Sequence, residues 1–276
     1  MKTRMKNICR KIAKMICFFL PIIIISCTEE MDDFDLRTAD AKFVIDANLT
    51  PNKAEVILSK TTSYLNPTEI PYVSGAKVSI SDGNQDFLLE ETTVGHYTIS
   101  NNFETEIEYS LFVKIDNQEF TAKSYLSKPV LWDSSYVALS ELDKLIASDD
   151  TTEHLYEING YITDPAPVTN FYKIDMYFED TLRDWNVVSD KNFSGKSCQI
   201  LSSNEFKSPH DTLYFLLKTI DKSIYEFYVT LANCNSSSTM SAAPDNPKTN
   251  ILGGALGRFS AYSLDSLMII IPKYKE

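Results

Sequence analysis

No apolar run in this chain of 276 residues reaches the roughly 20 residues that a membrane-crossing helix needs. There is no Cys-x-x-Cys and no His-x-His, so the common spacings of zinc sites are missing. There is no Gly-x-Ser-x-Gly elbow, and none of the three histidines, His96, His154 and His210, stands beside a recognisable nucleophile. The acidic stretches lack the spacing of a calcium-binding loop. Basic residues are few after the first 26 positions: 20 remain against 38 acidic ones, a formal charge of −18. Such a surface repels nucleic acid, whose affinity rests largely on neutralising phosphates.

The start of the chain is different in kind. Residues 1–26 hold six basic side chains and no acid, and Met15 to Ile25 is apolar. Eleven residues make about 16 Å of helix at ~1.5 Å per residue, too short to span. A basic stretch followed by a short apolar one reads as a signal peptide over 1–26. Ile24-Ile25-Ser26-Cys27 resembles a bacterial lipobox, with Ile24 where Leu is usual. The resemblance implies lipid on the Cys27 sulfur and acylation, with palmitate-like chains, of the new amino terminus. More than one acyl chain holds a protein stably, at ~0.8 kcal/mol per buried CH₂.

Residues 27–37 read as a solvated acidic tether. Glu29, Glu30, Asp32, Asp33 and Asp35 place five carboxylates in seven residues. An acidic run directly after a lipid-bearing cysteine also resembles the export signal of lipoproteins displayed on the bacterial surface. The expected location is therefore the outer membrane, facing the exterior.

The body is dominated by period two, the signature of strands. Phe43, Ile45, Ala47 and Leu49 share a face, as do Tyr109, Leu111, Val113 and Ile115, and Tyr172, Ile174, Met176 and Phe178. Asp82-Gly83 marks a hairpin turn. Leu213 to Leu217 and Leu267 to Ile271 read as strands buried on both faces. The expectation is an all-β chain of two sandwiches. The first, immunoglobulin-like, spans 38–127; the second, larger, spans 128–276 and begins at Lys128-Pro129. A short helix is expected between Ser140 and Ala147. A second, at 222–233, is signalled by Ile224, Phe227, Tyr228 and Leu231 at helical spacing, with Ser223 and Glu226 as a capping box.

The second region carries Asp164-Pro165, Asn170-Phe-Tyr172, Ser189-Asp-Lys-Asn-Phe-Ser-Gly195, Tyr225-Glu-Phe-Tyr228, Asn250-Ile-Leu-Gly-Gly-Ala-Leu-Gly257 and Phe259-Ser-Ala-Tyr262, in that order. With Leu58-Ser-Lys-Thr61 and Gly75-Ala-Lys-Val-Ser-Ile80 they resemble the lipoprotein family catalogued as domain of unknown function 4249. Phe43-Val-Ile-Asp46 fits more loosely. The resemblance implies an outer-membrane lipoprotein of the Bacteroidetes type, often encoded beside TonB-dependent transporters. It brings no catalytic residues and no cofactor.

The remaining motifs each have a bland reading. Gly253, Gly254 and Gly257 precede a strand and lack a following Gly-Lys-Ser/Thr, so close backbone packing fits better than a phosphate loop. Cys198 and Cys234 are either two thiols, the favoured reading, or a disulfide closing about 37 residues and worth roughly 3–4 kcal/mol. Asp180-Thr-Leu182, Asp211-Thr-Leu213 and Asp265-Ser-Leu267 resemble a short O-glycosylation sequon and equally fit strand edges. Trp132 and Trp185 are candidate glycan-stacking side chains, with core packing as the competing reading. Trp185, read as lying in a loop, is the better ligand-binding candidate. The expected function is a non-enzymatic binding or accessory subunit of a TonB-dependent uptake complex, the transporter being its partner. A fimbrial-type adhesive subunit is the alternative, and a surface hydrolase the third reading.

Overall fold

A computed structural model describes residues 40–62, 69–146, 153–235 and 246–273. The signal segment, Cys27 and the acidic run lie outside them. Ala41–Glu276 cluster as one unit.

Alternation builds the first sandwich. β1 (Phe43–Thr50) and β2 (Lys53–Lys60) form a hairpin that turns Ile45, Ala47, Leu49, Ala54, Val56 and Leu58 into complete burial. β3 (Lys77–Ser81), β4 (Asp86–Leu88), β5 (Glu90–Thr93), β6 (His96–Ser100), β7 (Ile107–Ile115) and β8 (Gln118–Leu126) follow. The β3–β4 turn is set by Asp82, whose Oδ1 accepts the amides of Asn84 and Gln85 at 2.8 and 2.7 Å. The order β1-β2-β6-β5 faces β8-β7-β3-β4, the arrangement of an immunoglobulin-type sandwich. Tyr109 at the start of β7 donates its hydroxyl to the Glu104 carbonyl at 3.0 Å, a tyrosine corner.

The second sandwich repeats the plan. It comprises β9 (Trp132–Leu139), the short helix α1 (Asp143–Ile146), β10 (His154–Thr163), β11 (Phe171–Phe178), β12 (Thr181–Ser189), β13 (Ser197–Lys207), β14 (Thr212–Ile220) and β17 (Ser263–Ile270). The three-stranded sheet β13-β10-β9 packs on β12-β11-β14-β17 around Tyr156, Ile158, Ile162, Tyr172, Ile174, Leu213, Phe215 and Leu217. Trp132 lies against Gly160, where any Cβ would meet its ring at 2.6 Å.

Between β14 and β17 the chain leaves this sandwich. Helix α2 (Lys222–Asn235) comes first, then β15 (Ile251–Leu252) and β16 (Leu256–Ala261). β15 pairs with β8, and β16 runs parallel to β1 from Val44↔Leu256 to Leu49↔Ala261. A second sandwich holding everything from 128 onward is therefore not what forms. Residues 251–261 belong to the first, because Ile251, Ala255, Phe259 and Ala261 are buried in its core. Their period-two pattern is the same whichever sheet receives them. Two of the three glycines expected to pack closely do so: a Cβ would stand 2.1 Å from the Ile45 carbonyl oxygen at Gly257, where φ is +99°, and 2.5 Å from the Glu119 carbonyl oxygen at Gly253, whereas Gly254 has nothing within 4 Å.

The helix at 222–235 also corrects its expected cap. Asp221, not Ser223, accepts the first amides, from Ser223 at 2.8 Å and Ile224 at 3.1 Å. A carboxylate at this end also suits the helix dipole. Glu226 turns instead to Lys248 and Lys222. The other Asp221 oxygen accepts the Ser124 hydroxyl and the Tyr125 amide of β8, so the cap ties α2 to the first sandwich.

Candidate functional site

The outer face of the β12-β11-β14-β17 sheet is half covered. α2 packs Ile224 on Phe171 and Ile220, flanked by Val187, Tyr225, Tyr228 and Tyr262. The alternation that sends Tyr172, Ile174 and Met176 inward sends Lys173 and Asp175 outward, toward what the sequence reads as solvent. Yet they are only 5% and 1% exposed. Asp175 holds Lys173 through one oxygen and Lys218 through the other, at 2.8 Å.

Aromatic rings close over these charges. Lys173 Nζ sits 4.7 Å from the Tyr228 ring centre and 5.6 Å from that of Trp185, and those two rings pack at 5.1 Å. Lys218 faces Tyr262 at 4.7 Å. Arg258 of β16 reaches across from the first sandwich to Tyr228 at 5.4 Å, and pairs with Asp46 at 3.2 Å. Three cations share two carboxylates. Burial first, then Lys218 and Arg258, pull the Lys173 ammonium down to about 7. Burial likewise pushes the Tyr228 phenol up. This cluster is a lock between helix, sheet and first sandwich; Lys173 and Asp175 are sealed from solvent, while Asp46 at its outer edge is half exposed.

The other half of the face is bare. One row across all four strands reads Leu182, Tyr177, Tyr214 and Met268. Leu182, Tyr214, Leu264, Met268 and Ile270 are 40–56% exposed. The expectation that β14 and the last strand are buried on both faces is thus corrected. Leu213, Phe215, Leu217 and Ile269 are buried, but among the described residues no layer covers Tyr214, Met268 and Ile270. At one border a cleft of about 270 Å³ opens between β12 and β13. Ile174, Met176, Ile200, Leu201 and Phe215 form its floor, and Asp184, Asn186, Ser202 and Ser203 its rim.

Residues 29–267 match the model of a family described as a domain of unknown function, DUF4249. The chain belongs to the DUF4249 family. The sequence motifs of this DUF4249 chain have structural reasons. Asp164 accepts the Tyr172 hydroxyl, the Asn170 amide group at 3.3 Å and the Gly195 N–H at 3.0 Å, while Asp190 accepts the Asn170 N–H at 2.9 Å. They tie two loops at one end of the second sandwich. Asn250 donates to the carbonyls of Lys123 and Phe259 at 3.0 and 2.8 Å and accepts the Phe259 amide at 3.0 Å, fixing the crossing between β8, β15 and β16.

No curated protein matches this DUF4249 chain. Among solved structures it resembles the FN1-FN3 domains of chicken CNTN1, at 10% identity and a TM-score of 0.27, covering 83% of this chain and 63% of that one. A cytokine receptor complex matches at 8% identity and a TM-score of 0.26, covering 82% and 94%. A 1.5-MDa bacterial ice-binding adhesin matches at 11% and 0.21, covering 84% and 66%.

Of the sequence candidates, Cys27, Glu29, Glu30, Asp32, Asp33 and Asp35 lie outside the described residues. Trp185 is not in a loop. It stands half-buried on β12, at the mouth of the cleft and against Tyr228. The β11–β12 turn that hid this strand is made by Glu179 and Asp180, both at positive φ without a glycine to announce it. Cys198 on β13 and Cys234 near the end of α2 are thiols rather than a disulfide, and Cys198 Sγ donates to the Gln199 carbonyl. The histidines are dispersed: His96 packs on Tyr72, His154 meets Asp143 at 2.9 Å, and His210 occupies a turn at φ +76°. Among the described residues no group of three or more His, Cys, Asp or Glu is placed to hold a metal ion. The bare apolar face is the feature that sequence reasoning missed. Its signal was present as outward Met268 and Ile270 in the last strand, but only the extent of α2 shows that they stay exposed among the described residues.

Proposed function

We propose that this protein is a lipid-anchored, non-enzymatic accessory subunit that docks on a TonB-dependent transporter in the outer membrane. The single observation that carries the docking role is the bare face of Leu182, Tyr177, Tyr214, Leu264, Met268 and Ile270. Contiguous exposed apolar surface rimmed by polar residues is characteristic of protein interaction sites. The transporter as partner rests on family likeness, an associational argument. Lipid on Cys27 supplies the anchor, and the run Glu29, Glu30, Asp32, Asp33, Asp35 directs the body to the exterior.

Strand exchange, as in a fimbrial subunit, is disfavoured by the edges. β13 turns Glu205 and Lys207 toward the interior, and β17 carries Asp265 at its edge, bonded to the Trp132 amide at 2.8 Å. Inward charges of this kind protect edges against added strands. The test is affinity capture from gently solubilised outer membrane, with bound proteins identified by mass spectrometry. The parent chain recovers a TonB-dependent transporter, and Met268→Asp with Tyr214→Ser loses it while remaining folded. Recovery of no transporter by the parent chain sinks the proposal.

A further inference from the structure

A second concavity, of about 410 Å³, lies on the outer face of the first sandwich, where β15 and the start of α2 meet β7 and β8. Its volume falls within the range of small-molecule sites. Phe112 and Leu252, 45% and 70% exposed, provide an apolar floor on either side of Thr121. The sequence gives no functional reason for two large apolar side chains to stand together on the solvent side of this sheet.

The polar lining is mostly committed. Asn250 spends its amide on Lys123, Phe259 and Ser223, and the Ser223 hydroxyl donates to Asp221 at 2.6 Å. The remaining charged group is Lys123, and no carboxylate is among the lining residues. Its ammonium rests on Glu108 at 2.6 Å, with both side chains more than half exposed. An exposed pair of that kind is weak and readily exchanged. Lys123 is therefore the one charge lining the recess, and a ligand's anion reaches it by displacing Glu108.

We propose that this recess binds a small amphiphilic acid. Its flat apolar part, an aromatic ring or short acyl chain, lies on Phe112 and Leu252, and its carboxylate takes the place of Glu108 on Lys123. Charge-assisted bonds to carboxylate are the stronger class of hydrogen bond, so the acid outcompetes a neutral molecule of the same shape. The site is on the first sandwich and the docking face on the second, so the two stand or fall separately.

Calorimetric titration of the full chain with naphthoate and with its neutral analogue naphthylmethanol tests this. Naphthoate binds at one equivalent, about tenfold tighter than the alcohol. Lys123→Met brings naphthoate down to the level of the alcohol, and Leu252→Asp weakens both by at least about tenfold. Val168→Asp, at a similarly exposed apolar residue on the other sandwich, changes neither. The proposal is overturned if neither probe saturates, if the alcohol matches the acid, if both Leu252→Asp and Lys123→Met bind naphthoate as the parent does, or if Val168→Asp abolishes binding. Leu252 and Lys123 are exposed, so both variants keep the fold; circular dichroism checks it.

Discussion

Replacing Asp175 by Asn leaves two lysines beneath α2 without their shared carboxylate. Asp175 is 1% exposed and holds Lys173 and Lys218 together. Removing one partner of a buried ion pair costs about 3–5 kcal/mol. Here the loss falls toward the lower end, because Lys173, already drawn down to about 7, sheds its proton with little further penalty. We expect about 3 kcal/mol near pH 6, and roughly half of that near pH 9, where Lys173 is neutral in either protein. For a unit of this size that is a fall in Tm of roughly 6–12 °C near pH 6. Urea unfolding followed by tryptophan fluorescence measures it, since Trp185 stacks on Tyr228 above the site. The sign of the pH effect is fixed by linkage. With a folded pKa near 7 against the ordinary 10.5, the unfolded chain binds the extra proton between those values. Stability contributed by Lys173 therefore rises with pH through that window. Lys173→Met should remove that rise, and near pH 6 it should cost little or stabilise, leaving Asp175 and Lys218 paired one to one. A cost for Asp175→Asn below about 1 kcal/mol near pH 6, or one that does not shrink near pH 9, would refute the reasoning.

Two further outcomes follow from the return segment. Gly257→Ala places a Cβ on the Ile45 carbonyl at a backbone angle that disfavours it, so chemical denaturation should show a loss of about 3 kcal/mol or more and faster amide exchange along β1. Asp221→Ala removes the cap of α2 and its link to Ser124 together, and should cost about 2 kcal/mol, more than the ~1 kcal/mol of an ordinary cap. A loss no larger than that would mean that the link to β8 contributes nothing.

Much of the fold was legible because β alternation is local. Tyr109, Leu111, Val113 and Ile115 announce their burial from spacing alone, and Ile224, Phe227, Tyr228 and Leu231 announce a helix. What spacing does not carry is the identity of the neighbour. The strand at 256–261 reads the same whether it joins the second sandwich or, as it does, runs beside β1. Lys173 and Asp175 read as solvent-facing because the helix that covers them lies some fifty residues on. Tyr214, Met268 and Ile270 were misread for the converse reason: unbroken apolar runs suggest two covering layers, and the described residues supply one. The ligand candidate Trp185 was set in a loop, whereas it lies on β12.

The pairing of β16 with β1 also separates order of synthesis from order of completion. A chain emerging from the ribosome presents the first eight strands early, yet the flanks of that sandwich, β1 and β8, wait for residues 251–261. Until those arrive, two strand edges are open to other chains, a hazard for any protein folding at high local concentration. A fragment ending near residue 127 is frozen at that stage. It should be the more aggregation-prone portion of this protein, although by sequence it looks like a finished domain.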